Sequence, residues 1–265
     1  MDILVCIKQV PESNKVEVDP ATGVLQRNAA SKMNPYDLFA LETALRLKEE
    51  HGGHVSVMTM GPPQAERVVR EAYAMGADEG YLMTDRRFGG ADVLATSYTL
   101  AQGIRQAGPF DLILCGKQTT DGDTAQVGSE ISEALGLPAL AGVTEILCAD
   151  GKGLTVRTDL LDKMLTVQIP FPCLLSVEQD IVQPRLPSYV RRQATKDRPV
   201  RRLTLDDLTD TDPLHYGLNG SPTQVQRIFP PDIADQRERW DGAGDELAAR
   251  LYRLLKEQKL WHGGR

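Results

Sequence analysis

The stretch from Gly116 to Gly128 contains the residues best suited to bind an anion. It consists of small and polar residues between an apolar run and a helical pattern. Backbone N–H groups are free at the start of a helix, where the helix dipole favours negative charge, so a nucleotide phosphate fits this stretch. Thr124 offers a hydroxyl and Gln126 an amide to a phosphate or a ribose. A well-capped strand-to-helix turn without a ligand explains the same spacing equally well.

Two carboxylates of this stretch would repel a phosphate if they faced it. We therefore expect Asp121 and Asp123 to cap the following helix, or to accept hydrogen bonds from a ribose or a backbone N–H. The stretch has neither the Gly-x-Gly-x-x-Gly of a Rossmann fold nor the Lys-Ser/Thr of a P-loop. The sequence also lacks Gly-x-Ser-x-Gly, His-Glu-x-x-His and the usual Cys/His ligand spacings. We predict no catalytic set for bond cleavage and no metal site.

Strand and helix patterns alternate through the first 150 residues. Short apolar runs predict strands, and apolar residues at helical spacing predict helices. The predicted strands cover residues 3–7, 55–60, 80–83 and 112–115, and the predicted helices cover residues 36–50, 64–74, 92–106 and 124–135. This alternation predicts an α/β fold with a parallel sheet.

Parallel sheets of this kind bind ligands at the carboxyl ends of their strands. The loops after Cys6, Met60 and Cys115 are therefore expected to form the site. Asn34 precedes Pro35 at the start of the first predicted helix, where an Asn cap followed by Pro is favourable.

The pattern changes after residue 149. Two alternating runs, residues 153–160 and 164–169, predict a β-hairpin extension, and residues 172–177 predict a further buried strand. Residues 185–202 are rich in arginine, residues 219–245 predict an extended arm, and residues 246–258 predict an amphipathic helix. We divide the chain into an α/β domain of residues 1–183 and a C-terminal part of residues 184–265.

Composition narrows the classes of protein further. The 265 residues are 41% hydrophobic and carry a net charge of −7, which disfavours a dedicated nucleic-acid binder. No apolar run reaches the roughly 18 residues of a membrane span, and the first residues do not form a signal peptide. The four cysteines lie far apart and are expected to be free thiols in a reducing cytoplasm. We predict a cytoplasmic protein with no nucleic-acid partner and no membrane span.

Five motifs in order resemble the β subunit of electron-transfer flavoproteins. They cover residues 6–11, 33–37, 60–65, 74–78 and 116–128, and the likeness extends from residue 1 to about residue 230. The resemblance implies an adenine-nucleotide-binding α/β domain that pairs with an FAD-carrying α subunit. It also implies nucleotide contacts by Cys6, Asn34, Pro35, Tyr36, Asp37, Met60, Gly116, Lys117, Gln118, Thr119, Thr120, Asp121, Gly122, Asp123, Thr124, Ala125, Gln126 and Val127.

Residues 83–98 resemble the electron-bifurcating or Fix-type branch of that family. Ordinary members hold AMP in this subunit, whereas members of that branch hold a second FAD there, which NADH reduces. The resemblance implies flavin or NADH contacts by Arg86 or Arg87, Gly90 and Thr96, and it leaves room for the flavin ring at the neighbouring small residues. Val93 departs from the branch, which usually has Thr at this position. A glycine-rich helix start with two solvated arginines is the alternative.

Residues 185–202 resemble the family's partner-recognition loop, in which one large apolar side chain anchors into a dehydrogenase. Tyr189 takes that position, beside Leu186 and Val190. A solvated basic loop is the alternative. The C-terminal part is thus expected to comprise this loop, the arm and the terminal helix.

The resemblance implies the β subunit of a heterodimeric electron carrier that has enzyme activity only within the complex. Electrons would pass from NADH to a flavin-dependent dehydrogenase and, if the protein bifurcates, to ferredoxin or flavodoxin. Two other hypotheses remain open: a non-bifurcating β subunit with structural AMP, and a non-redox module that binds an adenine nucleotide. A nucleotide hydrolase on the same fold is a third and weaker hypothesis, because the sequence has no metal or nucleophile motif.

Overall fold

The computed structural model describes residues 1–12, 31–160, 163–224 and 238–260. The strands are β1 (Asp2–Cys6), β2 (Gln9–Pro11), β3 (Ser31–Met33), β4 (His54–Met60), β5 (Glu79–Met83), β6 (Leu112–Gly116), β7 (Ala139–Asp150), β8 (Gly153–Leu160), β9 (Lys163–Pro170), β10 (Cys173–Val177) and β11 (Arg201–Leu203). The helices are α1 (Pro35–His51), α2 (Glu66–Met75), α3 (Val93–Ala107), α4 (Val127–Leu135), α5 (Tyr189–Ala194) and α6 (Gly244–Glu257).

The main sheet has the strand order β11-β5-β4-β1-β6-β10-β7-β8-β9. The strands from β11 to β7 pair in parallel, and β8 and β9 continue the sheet in antiparallel fashion. The predicted α/β fold is confirmed, as is the hairpin extension.

Both faces of the parallel part are buried, which explains its continuous apolar runs. On β1, Ile3 and Val5 join one core cluster with residues of α1 and α2. Leu4, between them, joins the opposite cluster with residues of α3 and α4. Helices therefore cover the sheet on both sides, and the ends of its strands are left for a site.

The sequence pattern did not predict strand β7. It runs for 12 residues, but its register shifts between Val143 and Glu145 and again between Ile146 and Cys148. These irregularities break the alternation of buried and exposed residues by which a strand is recognised. The strand was missed for that reason.

The chain divides into two compact units, of which the first ends at residue 224. The division into domains at residue 183 stays a prediction. The second unit contains α6, close to the predicted terminal helix, and the Trp240 indole donates a hydrogen bond to Glu238 at 2.8 Å. Residues 225–237 of the predicted arm lie outside the described residues. Within the described chain, no helix is both long and apolar enough to cross a membrane.

Candidate functional site

A cleft of about 940 Å³ opens at the carboxyl edge of the parallel sheet. The loops after β1, β4 and β6 reach it, as the sequence predicted, and so does the loop from β5 to α3. Its size lies at the upper end of the range of small-molecule and cofactor sites, roughly 300–1,000 Å³.

Most of the expected site residues line this cleft. Those that do are Cys6, Asp37, Met60, Arg86, Gly90, Thr96, Gly116, Lys117, Gln118, Thr119, Gly122, Thr124, Ala125, Gln126 and Val127. Those outside the lining are Asn34, Pro35, Tyr36, Thr120, Asp121 and Asp123. The cleft is also lined by residues that were not singled out from the sequence, among them Lys8, Pro62, Thr84 and Cys115. Each of them lies at or just after the carboxyl end of a strand, and this placement would have been enough to find them.

Asn34 is fully buried and joins the start of α1 to the loop after β6. Its side-chain amide donates to Asp37 Oδ1 at 2.9 Å and to the Gln118 carbonyl at 2.8 Å. Its Oδ1 accepts from the Thr120 N–H at 3.3 Å. The helix begins as predicted, with Asn34 at the N-cap and Pro35 at the first helical position, but the Asn34 side chain makes no capping bond. Its side chain holds two walls of the site together instead.

Asp37 brings a buried carboxyl group to the cleft. Its Oδ2 accepts a hydrogen bond from the Lys8 backbone N–H at 2.7 Å. Burial raises its pKa to about 7, against the hydrogen bonds from Asn34 and Lys8, which lower it. Asp37 can thus change protonation state near neutral pH.

Gly116 lets the end of β6 lie against α1. A Cβ at this position would be 2.6 Å from Asp37 Oδ1 and 2.6 Å from the Tyr36 carbonyl carbon. Both distances are far below van der Waals contact, so a larger residue would push the two walls apart.

Of the two expectations for the acids of the loop after β6, the structure contradicts the first, because neither acid caps α4. The helix begins at Val127 rather than at residue 124, and Gln126 is its N-cap. Asp123 and Ala125 have φ angles of +54° and +55°, so the backbone before the helix is not helical. Asp121 instead lies 2.7 Å from Lys8 Nζ, which offsets its charge at the rim of the cleft.

The two arginines after β5 have different surroundings. Arg87 lies 2.6 Å from Asp85 and 3.0 Å from Asp206, and its hydrogen bond lowers the pKa of Asp85 to about 2. Arg86 lines the cleft, and its guanidinium forms no hydrogen bond or ion pair with the described residues. Of the two alternatives, Arg86 is therefore the cation available to a ligand.

Cys6 and Cys115 lie side by side on the floor of the cleft, in register on β1 and β6. The pKa of the Cys115 thiol is raised well above its usual value by a hydrogen bond with Cys6 and by burial. All four cysteines are free thiols, as predicted. The pair gives the floor a weakly polar surface without a charge.

The expected partner-binding residues lie outside the cleft. Leu186, Tyr189 and Val190 are 87%, 73% and 75% exposed. Their backbone is nevertheless held in place, because the Ser188 N–H donates to the Ala74 carbonyl at 2.9 Å. Arg185 lies 2.8 Å from Glu42 and 2.6 Å from Glu49. The segment that leads into α5, together with the first turn of that helix, thus presents three apolar side chains to solvent.

Comparisons with known proteins find similarity to one family over most of the chain. A model of the electron transfer flavoprotein domain family matches residues 22–208. The chain is 44% identical over 259 residues to electron transfer flavoprotein subunit beta of Clostridium acetobutylicum, covering 97% of this chain and 99% of that protein. It is 44% identical over 263 residues to caffeyl-CoA reductase-Etf complex subunit CarD of Acetobacterium woodii, covering 98% and 100%. It is 41% identical over 244 residues to protein FixA of Azorhizobium caulinodans, covering 89% and 87%.

Proposed function

The chain belongs to the electron transfer flavoprotein family and is of the β-subunit type. From this premise we propose that its cleft binds FAD and that it relays electrons as one subunit of a heterodimer. The family resemblance drawn from five motifs is thereby confirmed. The identity of the nucleotide and the route of the electrons are the proposal.

The observation that supports FAD rather than AMP is the extent of the cleft. It continues from Asp37 and Gly116, past the ends of β4 and β5, to Thr96 in the first turn of α3. AMP is only the adenylate half of FAD, so a ligand of its length would leave the α3 side of the cleft unfilled. A volume of about 940 Å³ fits a complete dinucleotide.

The residues of the cleft suit the two halves of such a ligand. Toward the β6 loop, Thr124, Gln126 and the backbone N–H groups at the start of α4 would hold ribose and phosphate. Toward α3, Gly89 and Gly90 leave space for a flat ring, and Arg86 supplies a positive charge that is not paired with any described residue. When bound, FAD would supply hydride acceptance and one-electron transfer, which no side chain provides.

We propose NADH as the electron donor and a second FAD in an α subunit as one electron acceptor. The name of the relative CarD places that protein in a complex with a reductase. A flavin-dependent dehydrogenase is accordingly the partner proposed here, docking at Tyr189 and its apolar neighbours. Ferredoxin or flavodoxin would accept the second electron if the protein bifurcates.

The AMP-binding alternative is favoured by one residue. Val93 lines the cleft at the start of α3 but offers no hydroxyl to a flavin. A structural AMP would need no contact at that point.

Counting nucleotides in the purified αβ heterodimer separates the hypotheses. The nucleotides are released by denaturation, flavin is measured by absorbance, and AMP is measured by chromatography. The proposal predicts two FAD per heterodimer and no AMP. One FAD with one AMP would support the non-bifurcating carrier, and no flavin would support a non-redox module; either result contradicts the proposal.

A further inference from the structure

Residues 210–223, here called the strap, pack against the loop that joins β5 to α3. Residues of that loop form the far wall of the cleft, but no strap residue lines the cleft itself. The strap is therefore placed to affect a ligand only through the loop.

One end of the strap is fixed by aromatic residues. Tyr216 is completely buried, and its ring centroid lies 5.6 Å from that of Phe88 and 5.6 Å from that of Tyr98. The Tyr98 hydroxyl donates to Asp210 Oδ2 at 2.6 Å, and the Tyr216 hydroxyl donates to the Asp210 carbonyl at 2.6 Å. This end is thus tied both to the loop and to α3.

The backbones of strap and loop then come close together. The Leu218 N–H donates to the Gly89 carbonyl at 3.0 Å. Gly217 has a φ of +55°, and a Cβ there would lie 2.1 Å from the Arg87 carbonyl oxygen. Only glycine fits such an approach, so the strap contacts the chain just after Arg86.

Asp92 joins the other end of the strap to the start of α3. Its Oδ1 accepts from the Ala95 N–H at 3.0 Å and so caps the helix. Its Oδ2 accepts from both the N–H and the hydroxyl of Thr223, at 3.0 and 2.7 Å. Its own N–H donates to the buried Ser221 hydroxyl at 2.8 Å.

We infer that Ser221 and Thr223 are positioning residues that set the preference of the cleft for a dinucleotide over a mononucleotide. Through Asp92 they fix the wall from Gly89 to the first turn of α3. This inference rests on the proposed binding of FAD. The adenylate end of the cleft is built by other loops, those after β1 and β6, so the strap should act on the flavin half alone.

Two conservative changes test the inference in the nucleotide-stripped αβ heterodimer. Thr223→Val and Ser221→Ala are each expected to weaken FAD binding in this subunit about threefold to tenfold, the range expected for one lost hydrogen bond. AMP binding should stay within about twofold of the wild type. Thr223→Ser keeps the hydroxyl and should restore FAD binding. Thr144→Val removes a hydroxyl bond on β7, away from the cleft, and should change neither affinity. Equal losses of FAD and AMP affinity, or no loss, would overturn the inference.

Amide hydrogen exchange in the same stripped heterodimers gives a readout independent of FAD. Exchange should rise at residues 86–92 in the Thr223→Val and Ser221→Ala proteins and stay unchanged at residues 117–126. A wild type that binds AMP but no FAD would contradict the proposed function, while exchange at residues 86–92 would still show whether the strap holds the loop. Unchanged exchange there would overturn the positioning role.

Discussion

The protonation state of Asp37, whose buried carboxyl group lines the cleft, depends on pH near neutrality. Its pKa is raised to about 7 because the surrounding protein excludes water from the charged form. The charge of Lys8 lowers this pKa and the charge of Asp121 raises it. A group whose pKa is higher in the folded state binds its proton more tightly there, so its contribution to stability is present at low pH and is lost as pH rises.

We predict that this loss occurs between about pH 4 and pH 7. Asp37 should then contribute up to about 4 kcal/mol less to the free energy of unfolding at the upper end, at about 1.4 kcal/mol per pKa unit. The measurement is urea unfolding of the wild type and of Asp37→Asn across this range. The difference between the two curves should change steadily with pH and level off above pH 7. Parallel curves would show that Asp37 titrates normally.

Arg86 lines the cleft and is the arginine that we propose for ligand binding, whereas its neighbour Arg87 is paired with Asp85 and Asp206. We predict that Arg86→Glu weakens FAD binding at least about tenfold, because it replaces the cation of the cleft with an anion. Arg67→Glu makes the same change at an exposed site on α2 and should leave binding unaltered. Titration of the stripped heterodimer with FAD measures the effect. Equal affinities in the two variants would remove Arg86 from the site.

At the scale of elements, the contact between β6 and α1 determines the shape of one end of the cleft. We predict that Gly116→Ala destabilises the protein by about 1–3 kcal/mol, since the added methyl group has no room. The control is Gly122→Ala, in the loop that follows β6, where a Cβ would meet Thr119 Oγ1 at 3.4 Å and little else. Thermal unfolding should show a lower Tm for the Gly116 variant and a nearly unchanged Tm for the Gly122 variant. Similar Tm values would mean that the two elements separate easily.

The sequence pattern predicted the elements whose burial is regular. Runs such as Leu112–Cys115 are buried on both faces and end at Gly or Pro, so their number and order could be inferred. The pattern failed for α5 and β11, which are only six and three residues long. Elements so short depend on their tertiary contacts and leave no periodic signal.

The sequence located the loops that line the cleft better than it located the contacts of individual side chains. Strand ends could be located from the pattern, and three of the four loops around the cleft were found in this way. The bond from Asn34 to Gln118 and the Lys8–Asp121 pair join residues more than 80 positions apart, and no local rule predicts them. The strap was missed because its contacts with Asp92 also span more than 100 positions.

At the scale of the whole molecule, we propose that the nucleotide and the partner bind at separate surfaces. Tyr189 is 73% exposed and does not line the cleft. We predict that Tyr189→Ala raises the KM of the heterodimer for a flavin-dependent dehydrogenase about tenfold, as expected for the loss of an aromatic anchor worth over about 1 kcal/mol. Leu147→Ala alters another exposed apolar side chain, on β7, and should leave KM unchanged. Bound nucleotide should stay the same in both variants, and an unaltered KM for the Tyr189 variant would place docking elsewhere.

The identity of the molecule in the cleft is tested most directly by a density map of the αβ heterodimer as purified. We predict one continuous dinucleotide, with its adenylate against the loop from Gly116 to Val127 and its flavin beside Arg86 and Thr96. Density for AMP alone, or a cleft closed by side chains, would contradict the proposed binding of FAD.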